Sequence, residues 1–214
     1  MIDYGGETEM YDYIKGQVTR VTPEYVVIEQ QGIGYQIYTP NPFVFHKGEE
    51  VIQIFTHLHV REDAHQLMGF PTLPQRELFR KLILVSGIGP KGALAILASG
   101  EPNHVIQAIE REDEAFLVKF PGVGKKTARQ MVLDLKGKLN DLIDIELLDY
   151  TEAEPSLFTE ESDHELEEAM LALAALGYSE RELSKVRSTL KDSKDLTTTD
   201  AYMKKALQLL FSGK

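Results

Sequence analysis

Two short stretches of the chain, Gly87-Ile88-Gly89 and Gly122-Val123-Gly124, sit 35 residues apart, and lysines follow both. Lys91 stands after the first, Lys125 and Lys126 after the second, and Lys119 just before the second. Glycine lets a backbone turn sharply and approach a ligand with no Cβ in the way. A helix opening just after such a turn aims unpaired N–H groups and the positive end of its dipole outward. Amides and a nearby ammonium together make a site for an anion, and phosphate suits it best.

The settings of the two stretches match. At the 35-residue offset Leu82, Val85, Lys91, Ala93 and Leu97 fall on Leu117, Phe120, Lys126, Ala128 and Val132. The flanks read as helices over 74–85 and 90–98 around the first turn, and over 113–118 and 125–138 around the second. Helix, Gly-x-Gly turn, helix is the helix-hairpin-helix arrangement. One copy carries little weight, since it can be an ordinary turn between core helices. Two in register point to a device that grips successive phosphates of nucleic acid without reading bases. A P-loop reading of Gly-Val-Gly-Lys-Lys-Thr fails, because Lys119 stands where the early glycine belongs, an extra lysine precedes Thr127 and the upstream segment is helical. A dinucleotide fingerprint fails too, for want of a third glycine and a preceding strand.

Other residue groups offer less. Glu62 and Asp63 are adjacent carboxylates in a turn between two expected strands. They read first as a solvated hairpin turn, second as a repulsive device that keeps phosphate away, and last as half of a metal-binding acid pair. His57 and His59 alternate along one strand with His65 close behind, which could hold a divalent metal, but nothing completes the ligand set. No metal site, catalytic constellation or cofactor site is assigned.

The elements that must position these residues follow from patterning. Residues 1–9 carry no periodicity and read as an extension outside the fold. Over residues 10–73, five short strands at 11–20, 25–30, 34–39, 51–60 and 64–70 suit a small closed barrel of the OB type. The double hairpin occupies 74–139. Residues 140–163 form an acidic stretch without apolar periodicity, expected to be a flexible tether. Residues 164–214 carry three amphipathic helices, the first marked by Leu166, Met170, Leu173 and Leu176, with Tyr178 just after it. So small a bundle is expected to keep much apolar surface near the outside and to dock a partner. The fold class is thus α+β and multidomain.

Charge follows the same division. The formal net charge is −11, yet 74–139 carries +4 while 140–168 carries −12 with no Lys or Arg. The hairpin segment is the basic part of an acidic chain. With no cysteine, disulfides and thiolate metal sites are excluded and the reducing cytoplasm is the expected compartment.

In this order, the barrel, the Arg61-Glu62-Asp63 turn, Gly-Ile-Gly-Pro-Lys at 87–91, Pro-Gly-Val-Gly-Lys-Lys-Thr-Ala at 121–128 and Ala175-Leu176-Gly177-Tyr178 in a tethered bundle resemble the RuvA family. These are the Holliday-junction-binding subunits of the bacterial branch-migration complex, and the resemblance covers residues 10 to about 212. It implies a homotetramer, with two tetramers able to sandwich a four-way junction as an octamer. It implies that Gly87, Ile88, Gly89, Lys91, Lys119, Gly122, Val123, Gly124, Lys125 and Lys126 hold the duplex arms. Glu62 and Asp63 match acidic pins that keep the crossing strands apart, which raises the repulsive reading of that turn to first. The bundle, through Leu166, Met170, Leu173, Leu176 and Tyr178, would dock the hexameric ATPase RuvB, with the resolvase RuvC in the wider complex. The chain itself would not be an enzyme. A structure-selective repair nuclease and a protein-binding adaptor stand as the other readings.

Overall fold

Alternating burial builds the N-terminal unit. In the computed structural model, which describes residues 10–48, 50–98, 102–139, 142, 162–191 and 196–212, five strands close into a barrel. They are β1 (Tyr13–Val21), β2 (Tyr25–Gln30), β3 (Ile33–Tyr38), β4 (Val51–Val60) and β5 (His65–Phe70). The order around the barrel is β1-β2-β3-β5-β4, and every pairing is antiparallel except β3 with β5, where Ile37 faces Leu67 and Tyr38 faces Met68. Ile14, Val18, Val26, Ile28, Ile37 and Ile54 point inward from alternate positions and fill the interior with Phe45. β1 pairs with β4 in its first half and with β2 in its second. Gly16 sits near that handover, where a Cβ would lie 2.2 Å from the Glu29 carbonyl oxygen, so no larger residue fits.

Helix α1 (Leu73–Ile83) fastens the barrel to the helical region. Its buried Arg76 donates to the Asp12 carbonyl at 2.8 Å and to the Asp12 carboxylate, and its fork reaches Glu77 Oε1 at 2.9 Å. The same guanidinium lies 5.8 Å from the centre of the Phe55 ring. His57 packs on Phe79 of α1 with ring centres 5.5 Å apart. That contact places His57 in the barrel–helix join, as a core residue.

The helical region continues with α2 (Pro90–Leu97), α3 (Pro102–Glu110), α4 (Glu114–Leu117) and α5 (Lys125–Leu135). α3 is not among the helices expected from the sequence. Its buried face is Val105, Ile106 and Ile109, a pattern too short to stand out beside the repeated hairpins. α5 ends earlier than the expected 138, because Gly137 turns at φ 75° and its amide donates to Glu110 Oε1 at 2.8 Å.

The C-terminal bundle comprises α6 (Ser162–Ala175), α7 (Glu180–Leu190) and α8 (Thr199–Ser212). α6 ends as its glycine requires: Gly177 adopts φ 102°, Tyr178 N–H donates to the Leu173 carbonyl and Gly177 N–H to Ala174. A capping box between Ser179 and Glu182 opens α7. The bundle does not leave its apolar surface outside. A single buried cluster runs from Met68 and Phe70 of β5 through the hairpin helices to Leu173, Met203 and Leu207 of the bundle. The bundle's apolar residues are thus buried, chiefly among its own three helices, and that core is continuous with the hairpin region. Residues 1–9 and nearly all of the acidic stretch 140–163 lie outside the described residues.

Candidate nucleic-acid interface

The two glycine turns repeat one geometry. Leu82, Val85, Ile88 and Ala93 have relative exposures of 0, 2, 7 and 0%, and Leu117, Phe120, Val123 and Ala128 have the same values. Ile88 N–H donates to the Val85 carbonyl at 3.0 Å, and Val123 N–H to that of Phe120 at 3.1 Å. The first glycine of each turn takes a left-handed conformation, Gly87 at φ 95° and Gly122 at φ 77°. The second is an extended helix N-cap, Gly89 at φ −94° and Gly124 at φ −88°, with no side chain capping the helix behind it. Both helix openings thus keep outward N–H groups for a ligand, less the one that Pro90 lacks.

Exposed lysines flank these openings. Lys91, Lys125 and Lys126 all lie on the surface, and Lys91 also borders a cavity of about 230 Å³ between the barrel, α2 and the end of α6. No acidic side chain stands in the first turn of α2 or α5, so the positive dipole ends are not offset there. Lys119 is placed differently. It is half-buried and its ammonium donates to the backbone carbonyl of Phe211, at the end of α8.

Ile88 and Val123 are placed differently from the glycines beside them. Their side chains are buried and their amides are used in closing the turns, because a Gly-x-Gly turn must anchor its middle residue in the core to hold its shape. Their part is to set the glycines, which carry the exposed backbone. The expected partner-docking residues also face inward. Leu166, Met170, Leu173, Leu176 and Tyr178 are all buried. A stripe at helical spacing marks the inward face, so the periodicity that made these residues visible also put them inside. Burial, with Glu182 nearby, pushes the Tyr178 phenol pKa up. Among the described residues of α6, the large apolar side chain that is exposed is Leu171, at 57%.

Glu62 and Asp63 are exposed in the β4–β5 turn, which the Arg61 N–H closes by donating to the Ala64 carbonyl at 2.8 Å. Asp63 has Arg61 at 3.7 Å, a wide surface pair that leaves both carboxylates facing solvent. His59 lies opposite Gln66 and His65 opposite Val60 on the same strand pair. Burial and the neighbouring His57 and Arg61 hold the His59 pKa below its usual value.

Family comparisons fall on the same three units. Residues 10–69 match the RuvA N terminal domain, 79–137 the SAM-like helix-hairpin-helix tandem and 165–210 the RuvA C-terminal domain. The chain belongs to the RuvA family. It is 68% identical over 206 residues to a protein of Lysinibacillus sphaericus named Holliday junction branch migration complex subunit RuvA, covering 96% of this chain and all of that one. The identically named protein of Bacillus mycoides is 58% identical over the same coverage. The RuvA matches take in both the barrel that carries Glu62 and Asp63 and the bundle that carries Leu171, while the hairpin match spans both glycine turns. Among the described residues no helix is long and apolar enough to cross a membrane.

Proposed function

We propose that this chain binds four-way DNA junctions without regard to sequence, holds them open, and couples them to a separate motor for branch migration in recombination and repair. The observation that carries this is the pair of matching turns, each ending in an uncapped helix start beside exposed lysine. Phosphate contacts at fixed spacing give structure-selective grip, and the absence of base contacts leaves a duplex able to slide. Gly87, Gly89, Lys91, Lys119, Gly122, Gly124, Lys125 and Lys126 are the contact residues. Glu62 and Asp63 repel phosphate at the crossover. Neither the nuclease nor the adaptor reading draws support from the family.

ATP hydrolysis belongs to the partner RuvB, and RuvC joins the wider complex. We take 10–73, 74–139 and 164–214 as barrel, hairpin and bundle, with 140–163 as the tether, in a cytoplasmic homotetramer that pairs into an octamer on a junction. Native mass with and without junction checks the assembly. Leu171 is the centre of the ATPase-docking face, and Leu171→Asp should abolish stimulation of the ATPase while junction binding persists.

The central test is a salt titration of junction and duplex binding. Lys125→Ala with Lys126→Ala should weaken binding alike for all sequences and lower the slope of log K against log salt by about 0.9 for each phosphate contact removed. An unchanged slope would refute the phosphate grip.

A further inference from the structure

Helix α8 is held at both ends. Near its start, Asn41 Nδ2 of the barrel donates to Asp200 Oδ1 at 2.8 Å, and the other Asp200 oxygen accepts from Lys204 at 2.9 Å. Near its end, Phe211 enters an aromatic socket beside the second glycine turn. Its ring stacks on Phe116 with centres 5.6 Å apart and planes at 22°, and meets Phe120 edge-on at 4.8 Å. Between these two rings in sequence stands Lys119, whose ammonium donates to the Phe211 carbonyl and lies 6.0 Å from the Phe116 ring centre. The end of α8 thus offers Lys119 what a phosphate would offer: an oxygen acceptor at the negative end of a helix dipole.

We infer that the Phe116–Phe120 socket with Lys119 is a docking site for the chain's own C-terminal helix, and that DNA at the second hairpin competes with this docking for Lys119. The inference rests on reading the hairpins as phosphate clamps and adds a regulated state to them. With the bundle docked, Lys119 is engaged and Phe211 covers the socket. Phosphate that captures Lys119 removes the polar half of the latch and leaves the aromatic half to hold alone. Coupling of this kind is reciprocal, so DNA loosens the bundle as much as the docked bundle weakens DNA binding.

Two measurements on the full-length chain test this. In fluorescence anisotropy with a four-way junction, Phe211→Ala should tighten binding about fivefold, because the competing contact no longer has to be broken. In a Lys119→Ala background the same change should give no gain. Unchanged affinity in Phe211→Ala, or an equal gain without Lys119, would overturn the latch. The second measurement leaves the latch residues intact. The chain has no cysteine, so Gln107→Cys on α3 and Ser188→Cys on α7, both exposed, can carry spin labels in chains diluted with unlabelled protein. Junction should add a longer-distance population that free protein lacks; one distribution with and without junction overturns the proposal. Failure of the clamp reading itself shows separately, in the Lys125 and Lys126 salt titration.

Discussion

A Cβ placed on Gly87 would stand 3.3 Å from Thr127 Oγ1, so the turn of the first hairpin abuts the opening of the helix that follows the second. The two glycine turns are neighbours in space as well as copies in sequence. Gly87→Ala meets two obstacles, a left-handed φ and the Thr127 hydroxyl, whereas Gly122→Ala meets the dihedral alone, with nothing within 4 Å. Both should destabilise by about 1–2 kcal/mol from backbone strain, with Gly87→Ala the worse. Urea unfolding with a lowered midpoint and constant m checks it; a Gly87→Ala protein as stable as the parent would contradict it.

The second glycine of each turn behaves oppositely. Gly89 and Gly124 have φ values that any residue adopts, and a Cβ added at either would meet no atom within 4 Å. Alanine at either meets no strain and should cost only its weaker N-capping, about 0.5–1 kcal/mol. Duplex binding should weaken as well, by about fivefold for the loss of one close backbone contact. Melting curves beside anisotropy separate the two effects, and equal DNA affinity in Gly124→Ala would place the phosphate elsewhere.

Removing the negative charges in the β4–β5 turn should strengthen duplex binding and reduce the preference for junctions. Glu62→Gln should act more strongly than Asp63→Asn, because Arg61 at 3.7 Å already offsets part of the Asp63 charge. Competition between linear and four-way DNA gives the ratio. A preference that survives the double substitution Glu62→Gln with Asp63→Asn would remove these residues from strand separation.

Arg76 joins barrel and helices through one buried guanidinium. Arg76→Met keeps the aliphatic bulk but loses the bonds to Asp12 and Glu77, and stability should fall by about 2 kcal/mol. The exposed Glu112–Lys136 pair is the contrast: Lys136→Met there should change the melting temperature hardly at all.

His59 predicts a pH dependence with a definite sign. Its folded pKa lies below the ordinary histidine value of 6.5, so the unfolded chain binds the proton more readily. Stability should therefore hold above about pH 7, fall as pH drops through 6.5, and level off below the folded pKa. His59→Gln should flatten that decline in urea titrations across the range.

Much of this molecule is legible from local pattern. β2 and β4 fall on 25–30 and 51–60 as alternation places them, and both glycine turns are where the repeat puts them. Gly177 ends α6 by the backbone conformation that only glycine adopts cheaply. These features arise from interactions between residues close in the chain, or from one strand face meeting a core, and composition at short range suffices to specify them.

Long-range packing decided the rest. Sequence periodicity identified Leu166, Met170, Leu173 and Leu176 as apolar but carried no sign for what they would face, and tertiary packing put them inside. Ile88 and Val123 look like part of a binding loop in the sequence, but in the fold their amides close it. Lys119 and Phe211 lie 92 residues apart, beyond any local signal, and only the folded chain sets the ammonium of one on the carbonyl of the other. Local sequence determined the strands, the glycine turns and where a phosphate could approach, though not α3. The choice of which lysine stands free for it belongs to contacts between distant segments, whose energies depend on geometry that no window of sequence contains.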